Sequence, residues 1–127
     1  MQMSRIKRIQ QLGFKYCELI ESVAGISEMI RGSFNTVYRK CGKPNCRCAR
    51  GVGHPSDQIV FLEGSRSKCR VVPKEDVQWV KRMTENRRKF RRRRQLLRAL
   101  EKEIQREINE LEEETISRSM GEKDWLK

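Results

Sequence analysis

The chain reads CGKPNCRC at residues 41–48 and carries its single histidine, His54, six residues later. Three thiols and one imidazole crowded into so short a segment are the ligand types of a tetrahedral zinc site. The glycine and the proline inside the stretch bend the chain, so that short turns can bring separate ligands to one ion. The stretch therefore predicts a metal-stabilised loop around which a small domain is arranged.

Four side chains are the predicted metal ligands, and the sequence offers one rival for the fourth position. Cys46 and Cys48 are two residues apart, and in extended chain both thiols would face the same side. Four protein ligands leave no open coordination position, so we expect one structural zinc ion. A loop of reduced cysteines that binds nothing remains an open alternative, because this spacing is not a common zinc-finger pattern. The predicted ligands are Cys41, Cys46, Cys48 and His54, with Cys69 as the rival.

The charge of the chain is strongly basic and unevenly distributed. The sequence holds 29 Lys and Arg against 17 Asp and Glu, a formal net charge of +12. Residues 1–98 carry 24 basic and 8 acidic side chains, whereas residues 99–127 carry 5 basic and 9 acidic ones. Such an excess favours a polyanionic partner. Lys and Arg residues that cluster along a helix are the electrostatic footprint of a nucleic-acid-binding protein.

The arginine-rich segment, which we define as residues 86–94, has Phe90 as its only apolar side chain. Cations around most of a helical circumference cannot be buried in a core, but they bind phosphates by releasing counterions. The alternative that stays open is a solvated face that pairs with the acidic stretch, residues 101–114, on a neighbouring helix. The predicted phosphate contacts are Arg87, Arg88, Arg91, Arg92 and Arg94, with Lys43 and Arg47 as secondary contacts.

Hydrophobic periodicity predicts a helical N-terminus followed by a small sheet. Apolar residues at steps of three or four indicate an amphipathic helix over residues 4–31, with a break near Gly25 and a restart at Ser27. Runs of β-branched and aromatic residues at 34–40, 58–63 and 68–72 predict three antiparallel strands. Residues 63–67 have the composition of a hairpin turn.

A second helix is predicted after Pro73, because proline is tolerated in a first helical turn and the carboxylates that follow favour a helix start. Five apolar residues then recur seven apart, as in a helix that packs on another helix, either the N-terminal one or one of a partner copy. The companion heptad positions Asn86, Arg93 and Glu107 do not fit such a seam. The five recurring residues are Met83, Phe90, Leu97, Ile104 and Leu111.

These elements predict an α+β fold in one small domain with a helical extension. Residues 1–32 form an amphipathic helix, and residues 33–73 form a zinc-stabilised three-stranded antiparallel sheet with the Cys-rich loop between its first two strands. Residues 74–117 form a long helix that is basic and then acidic, with coiled-coil-like character. Residues 118–127 form a flexible tail.

The order of motifs resembles a family of small uncharacterised bacterial and archaeal proteins that share a domain of unknown function. The resemblance rests on IRGS at residues 30–33, CGKPNCRCA at 41–49, GHP at 53–55 and VPK at 72–74. It covers residues 26–100 and implies this compact sheet and helix plan, with a loose link to mobile elements. It implies no established activity.

From these observations we expect a non-enzymatic accessory or regulatory protein that binds nucleic acid, with DNA favoured over RNA. The alternative is an adaptor or assembly subunit that uses its helices to form a homo-oligomer or a larger protein assembly. One histidine and no phosphate-cradling glycine motif leave no convincing catalytic set. The N-terminus shows no targeting segment and no apolar run is long enough for a bilayer, so we expect no membrane partner and a cytoplasmic location. Five cysteines, an odd number, favour reduced thiols, with Cys17 a small buried one.

Overall fold

The computed structural model describes residues 4–127, which fall into two compact units. The sheet unit is residues 26–90, and the helix unit is drawn from residues 1–25 and 91–127. This is an α+β arrangement, as the sequence predicts. The elements are α1 (Arg5–Ala24), β1 (Ser33–Arg39), β2 (His54–Glu63), β3 (Arg66–Val71) and α2 (Val77–Met120).

Helix α1 is shorter than its periodicity predicts. Its start is capped by the Ser4 hydroxyl, which accepts a hydrogen bond from the Lys7 backbone N–H at 3.2 Å. The helix ends at Ala24, and residues 26–30 have no regular structure, so the predicted continuation with a restart at Ser27 is wrong. The first three residues of the predicted 1–32 segment lie outside the described part of the chain.

Residues 26–30 lack a helix because α2 satisfies some of their backbone groups. The Ile30 N–H donates to the Met83 carbonyl at 3.3 Å, and the Glu28 carbonyl accepts a bond from the Asn86 side chain at 3.0 Å. Backbone groups that find such partners do not need a helical turn of their own. The apolar periodicity of this segment therefore reflects packing and not a second helix.

Within the helix unit, α1 lies antiparallel to residues 91–120 of α2. Arg93 reaches the Ser22 carbonyl near the end of α1, Tyr16 reaches Glu101, and Arg5 reaches Glu107 near its start. Leu12 is the buried residue of α1. Of the two partners considered for the heptad seam, the structure shows the N-terminal helix of the same chain.

The sheet is an antiparallel meander in the order β1-β2-β3. The predicted hairpin is confirmed: Glu63 pairs with Arg66, and Gly64, with φ of 64°, is the only residue of the two-residue turn that has a positive φ. This is the backbone pattern of a type II′ turn, whose twist suits the flanking strands. The core of the unit is small, with Cys48, Val72, Val80 and Met83 as its buried apolar residues.

The predicted end of α2 needs correction as well. The helix continues three residues past Ser117 to Met120, and a short 3-10 helix follows at Asp124–Leu126. The residues predicted to form a tail therefore begin with the end of α2. No glycine or proline lies between Pro73 and Gly121 to end the helix earlier. No helix among the described residues is long and apolar enough to cross a membrane.

Candidate metal centre and cationic surface

The metal loop, which we define as residues 40–53, connects β1 to β2. Arg39, the last residue of β1, pairs with His54, the first residue of β2, so the two ends of the loop lie next to each other. Gly53 makes this closure possible. A Cβ atom at Gly53 would lie 2.3–2.6 Å from backbone atoms of Arg39, a distance that no other residue type tolerates without a shift of the strands.

The loop brings the four predicted ligands together. Their donor atoms all lie within 4.8 Å of one another. The Sγ atoms of Cys41 and Cys48 are 3.4 Å apart, and Cys46 Sγ is 3.1 Å from His54 Nε2. A tetrahedral zinc ion with Zn–S bonds of about 2.3 Å would separate two sulfurs by about 3.8 Å. The donor set and its spacing therefore fit one metal ion.

Local turns of the metal loop position the cysteine ligands of the cluster. Gly42 has a φ of 82°, the left-handed conformation that a glycine in this knuckle was expected to supply. Cys46 is extended, but Cys48 lies in a 3-10 helix, Arg47–Arg50, so the expectation that both sit in extended chain is wrong for Cys48. The turn forms because the Ala49 N–H bonds the Cys46 carbonyl and the Gly51 N–H bonds the Cys48 carbonyl.

The electrostatics of the cluster favour a thiolate. The backbone N–H of Cys48, its side chain and His54 together lower the pKa of Cys46 to about 6, and the hydrogen bond to Cys46 raises the pKa of His54. The backbone N–H of Cys41 donates to Cys48 Sγ at 3.3 Å. Taken alone, this hydrogen bond lowers the pKa of Cys48. Burial of the thiol and the neighbouring thiols raise the pKa by more, so the pKa of Cys48 lies above its ordinary value. Cys46 is thus poised in the thiolate form that binds metals.

The other two cysteines do not belong to the cluster. Cys69, the rival fourth ligand, lies in β3 and its thiol donates to Gln58 Oε1 at 3.1 Å. Cys17 is exposed on α1, so the expectation of a buried thiol is wrong. All five cysteines are free thiols.

The predicted phosphate contacts fall into both units. Arg87 and Arg88 lie in the part of α2 that belongs to the sheet unit, and Arg88 is 3.7 Å from Glu85. Lys43 and Arg47 are exposed in the metal loop. Arg91, Arg92 and Arg94 lie in the part of α2 that belongs to the helix unit.

The acidic stretch contacts basic residues of α1. The Arg5 guanidinium binds the carboxylates of Glu107, Glu110 and Glu114, and Arg8 lies 3.4 Å from Glu107. These three carboxylates therefore contribute to the α1–α2 pairing. The net charges of the two units differ. The helix unit has 14 basic and 11 acidic residues, whereas the sheet unit has 15 basic and 6 acidic residues, a balance of +9.

The sheet unit also contains a cationic groove, of whose lining residues only Arg88 was among the predicted phosphate contacts. It has a volume of about 450 Å³, and Lys81, Arg82 and Arg88 line it together with Phe34 and Glu85. The Lys81 ammonium lies 5.2 Å from the centre of the Phe34 ring, a cation–π distance. The sequence signal for this groove is the pair Lys81 and Arg82, which precedes the arginine-rich segment by about one helical turn.

Together, the fold and the site define a small α+β protein whose Cys3His cluster could hold one metal ion. The family comparison agrees with the resemblance seen in the sequence: a domain of unknown function, DUF6788, matches residues 3–82. The chain belongs to this family. No curated protein and no solved structure matches the chain. The matched region includes the Cys3His cluster and ends before the arginine-rich segment.

Proposed function

We propose that the protein is a non-enzymatic nucleic-acid-binding factor, with DNA favoured, that acts in an accessory or regulatory role and holds one structural zinc ion. The distribution of charge carries this proposal. The sheet unit has a balance of +9, and Arg39 at the end of β1 is exposed, as are the cations of the metal loop, Lys40, Lys43, Arg47 and Arg50. A surface of this kind lowers its self-repulsion by binding a polyanion and releasing counterions.

Zinc is the metal that the donor set supports. Three cysteine sulfurs and one imidazole nitrogen in a tetrahedron are soft and borderline ligands typical of zinc. When bound, the ion would tie four points of the loop together. Because all four positions are filled by protein, no coordination position is left for a substrate, which supports a structural role.

Metal analysis of protein purified without a histidine tag tests the zinc proposal. We expect about one equivalent of zinc per chain, and we expect Cys46→Ser to release most of it, because one of the four ligands is lost. The control is Cys69→Ser, which removes a thiol outside the cluster and leaves the zinc content unchanged. Less than a tenth of an equivalent in the unmodified protein would contradict the proposal.

Fluorescence anisotropy across a salt series tests nucleic-acid binding. The variant Arg87→Gln, Arg88→Gln, Arg91→Gln removes three cations and keeps good helix formers in place. If all three contact phosphates of duplex DNA, the slope of log affinity against log salt should become shallower by about 2.7. Affinity should weaken alike for all sequences, because phosphate contacts carry no base information.

The matched control removes three cations from the same helix where acidic residues are abundant: Lys102→Gln, Arg106→Gln and Arg118→Gln. Its affinity should stay close to that of the unmodified protein. An equal loss in both triple variants would show that only the total charge matters and not the arginine-rich segment. Parallel titrations with duplex RNA of the same sequence decide between DNA and RNA.

The alternative expected from the sequence is an adaptor or assembly subunit that uses its helices. Its sequence argument was the heptad seam, and Ile104 of that seam lies beside Gly13 and Tyr16 of α1 in the helix unit. Light scattering at micromolar concentration tests it. A stable oligomer in which the arginine-rich segment resists proteolysis would support the adaptor over nucleic-acid binding.

A further inference from the structure

We propose that Arg47 and Arg50 form a phosphate clamp that the metal centre holds in its binding geometry, so that nucleic-acid affinity depends on the bound metal. The ligand class is the phosphodiester backbone of nucleic acid. This inference rests on the proposed function and adds both a site and a way of regulating it.

The 3-10 helix sets the geometry of the clamp. Side chains three residues apart in a 3-10 helix lie on the same side, one above the other. Arg47 and Arg50 are its first and last residues and both are exposed. Cys48, which follows Arg47, is rotated away from that side by one third of a turn and is only 4% exposed. One short turn therefore buries a metal ligand and presents two guanidinium groups to solvent.

The spacing of the two arginines suits a nucleic-acid strand. Three residues of a 3-10 helix rise about 6 Å, which separates the two guanidinium groups enough to take neighbouring phosphates. Each guanidinium can donate two parallel hydrogen bonds to one phosphate, which an ammonium cannot do. Arginine at both positions therefore adds geometric selectivity to the charge.

Little besides a metal could hold this turn in place. Among the fourteen residues of the metal loop, Cys48 is the only buried one. The other ties of the loop lie within the loop itself. The Ala49 N–H bonds the Cys46 carbonyl and the Cys46 N–H bonds the Lys43 carbonyl, each at 3.1 Å. Two longer contacts of 3.5 Å join Lys40 Nζ to the Ala49 carbonyl and the Gly51 N–H to the Cys48 carbonyl. A segment with so little buried apolar surface cannot offset the entropy of a fixed conformation.

Repulsion between its positive charges also destabilises the ordered conformation of the metal loop. The loop carries Lys40, Lys43, Arg47 and Arg50 and no carboxylate, so its cations repel one another when they are brought together. Cys46 precedes the turn and Cys48 lies inside it, so a bound ion fixes the turn at two points. Metal binding and clamp formation are thus coupled through the same four residues.

Anisotropy titrations with a fluorescent DNA duplex test the coupling. The proteins are the unmodified chain and Arg47→Gln, Arg50→Gln, each measured zinc-loaded and after zinc removal by a chelator under reducing conditions. With zinc, we expect the double substitution to weaken binding about tenfold or more and to lower the salt slope by about 1.8. Without zinc, we expect the same substitution to change the affinity less than about twofold, a non-additive result typical of coupled sites.

A matched control removes two exposed arginines of the sheet unit that lie in β3, Arg66→Gln and Arg70→Gln. It changes the net charge equally and should weaken binding less than about twofold with or without zinc. Zinc content and circular dichroism confirm that each variant is folded. Should the glutamine variant lose zinc, Arg47→Lys, Arg50→Lys keeps the charge and is expected to lose a smaller part of the affinity.

The outcomes separate this inference from the proposed function. If the zinc-loaded unmodified protein fails to bind DNA at low salt, the proposed function itself is wrong. If it binds and the Arg47 and Arg50 substitutions act equally with and without zinc, the metal dependence is wrong. If the β3 control weakens binding as much as the clamp variant, total charge and not a clamp determines the affinity.

Discussion

Gly53 shows how a single residue determines the geometry of the metal loop. The backbone of Arg39 occupies the space where any other residue would carry its Cβ atom. Gly51, two residues earlier, has open space around its Cβ direction, with no atom within 4 Å. Two glycines of the same loop thus have different roles, one required by close packing and one not.

Replacing Gly53 by Ala should displace the end of β1 from the start of β2 and move His54 away from the thiols. Overpacking of this kind costs about 1–3 kcal/mol. If that cost appears in metal binding, zinc affinity should fall about five- to 150-fold. Competition against a chromophoric chelator measures it. Gly51→Ala is the matched control and should bind zinc as the unmodified protein does; equal losses in both variants would contradict this account.

The sequence identified the four clustered side chains because they lie within fourteen residues of one another. A short loop limits how far such residues can separate, so proximity in sequence predicted proximity in space. The choice between His54 and Cys69 needed the strand register, which places His54 opposite Arg39 and Cys69 opposite Val60. The 3-10 turn at Cys48 depends on local backbone bonds for which the sequence carried no clear signal.

At the scale of elements, the heptad exceptions of α2 have a structural reason. Asn86 bonds the Glu28 carbonyl, Arg93 bonds the Ser22 carbonyl at 2.7 Å, and Glu107 binds Arg5 at 2.6 Å. Each polar residue that spoiled the seam therefore makes a polar contact with the N-terminal part of the chain. Periodicity predicted the helices because it records burial, but it could not show which polar partner a chain segment distant in sequence would supply.

The contact of Arg5 with Glu114 predicts a pH dependence of the helix unit. The hydrogen bond from Arg5 lowers the pKa of Glu114 below its ordinary value of 4.5. The contribution of this pair to folding is therefore complete above about pH 4.5 and is lost as the pH falls through the lower value of the folded state. Because Glu114 is half exposed, solvent screens the pair and the effect should be modest.

Thermal unfolding of Glu114→Gln measures this contribution. The variant should have a lower Tm than the unmodified protein at pH 6, and the difference should shrink as the pH is lowered below 4.5. Glu112→Gln, at an exposed position of the same helix, is the control and should change the Tm little at either pH. A Tm difference that is equal at both pH values would show that Glu114 acts through packing and not through charge.

At the scale of the whole molecule, the two units differ in what stabilises them. The helix unit has a paired helix interface with a cluster of carboxylates on Arg5. The sheet unit has three buried apolar side chains outside the metal loop, and the four clustered residues lie in or beside the loop that connects β1 to β2. A metal ion bound at the cluster would add a constraint to a unit with so small a core.

Hydrogen exchange before and after zinc removal should separate the two units. Amides of residues 40–57 should lose protection when zinc is removed, because the loop and the adjoining end of the sheet lose their constraint. Amides of residues 5–24 in α1 should exchange as before, since none of the four clustered residues lies in that helix. Peptide-level mass spectrometry reads both regions in one experiment, and equal deprotection of both would show that the metal stabilises the entire chain.

The pairing of α1 with residues 91–120 of α2 also sets an order of events during translation. Arg5 has its partners 102 to 109 positions further along the chain, whereas the meander joins strands that follow one another. Nearby partners meet at a smaller entropic cost than distant ones. The sheet can therefore assemble while the ribosome is still working, and the first helix must wait until residues 107–114 have been synthesised before the partners of Arg5 exist.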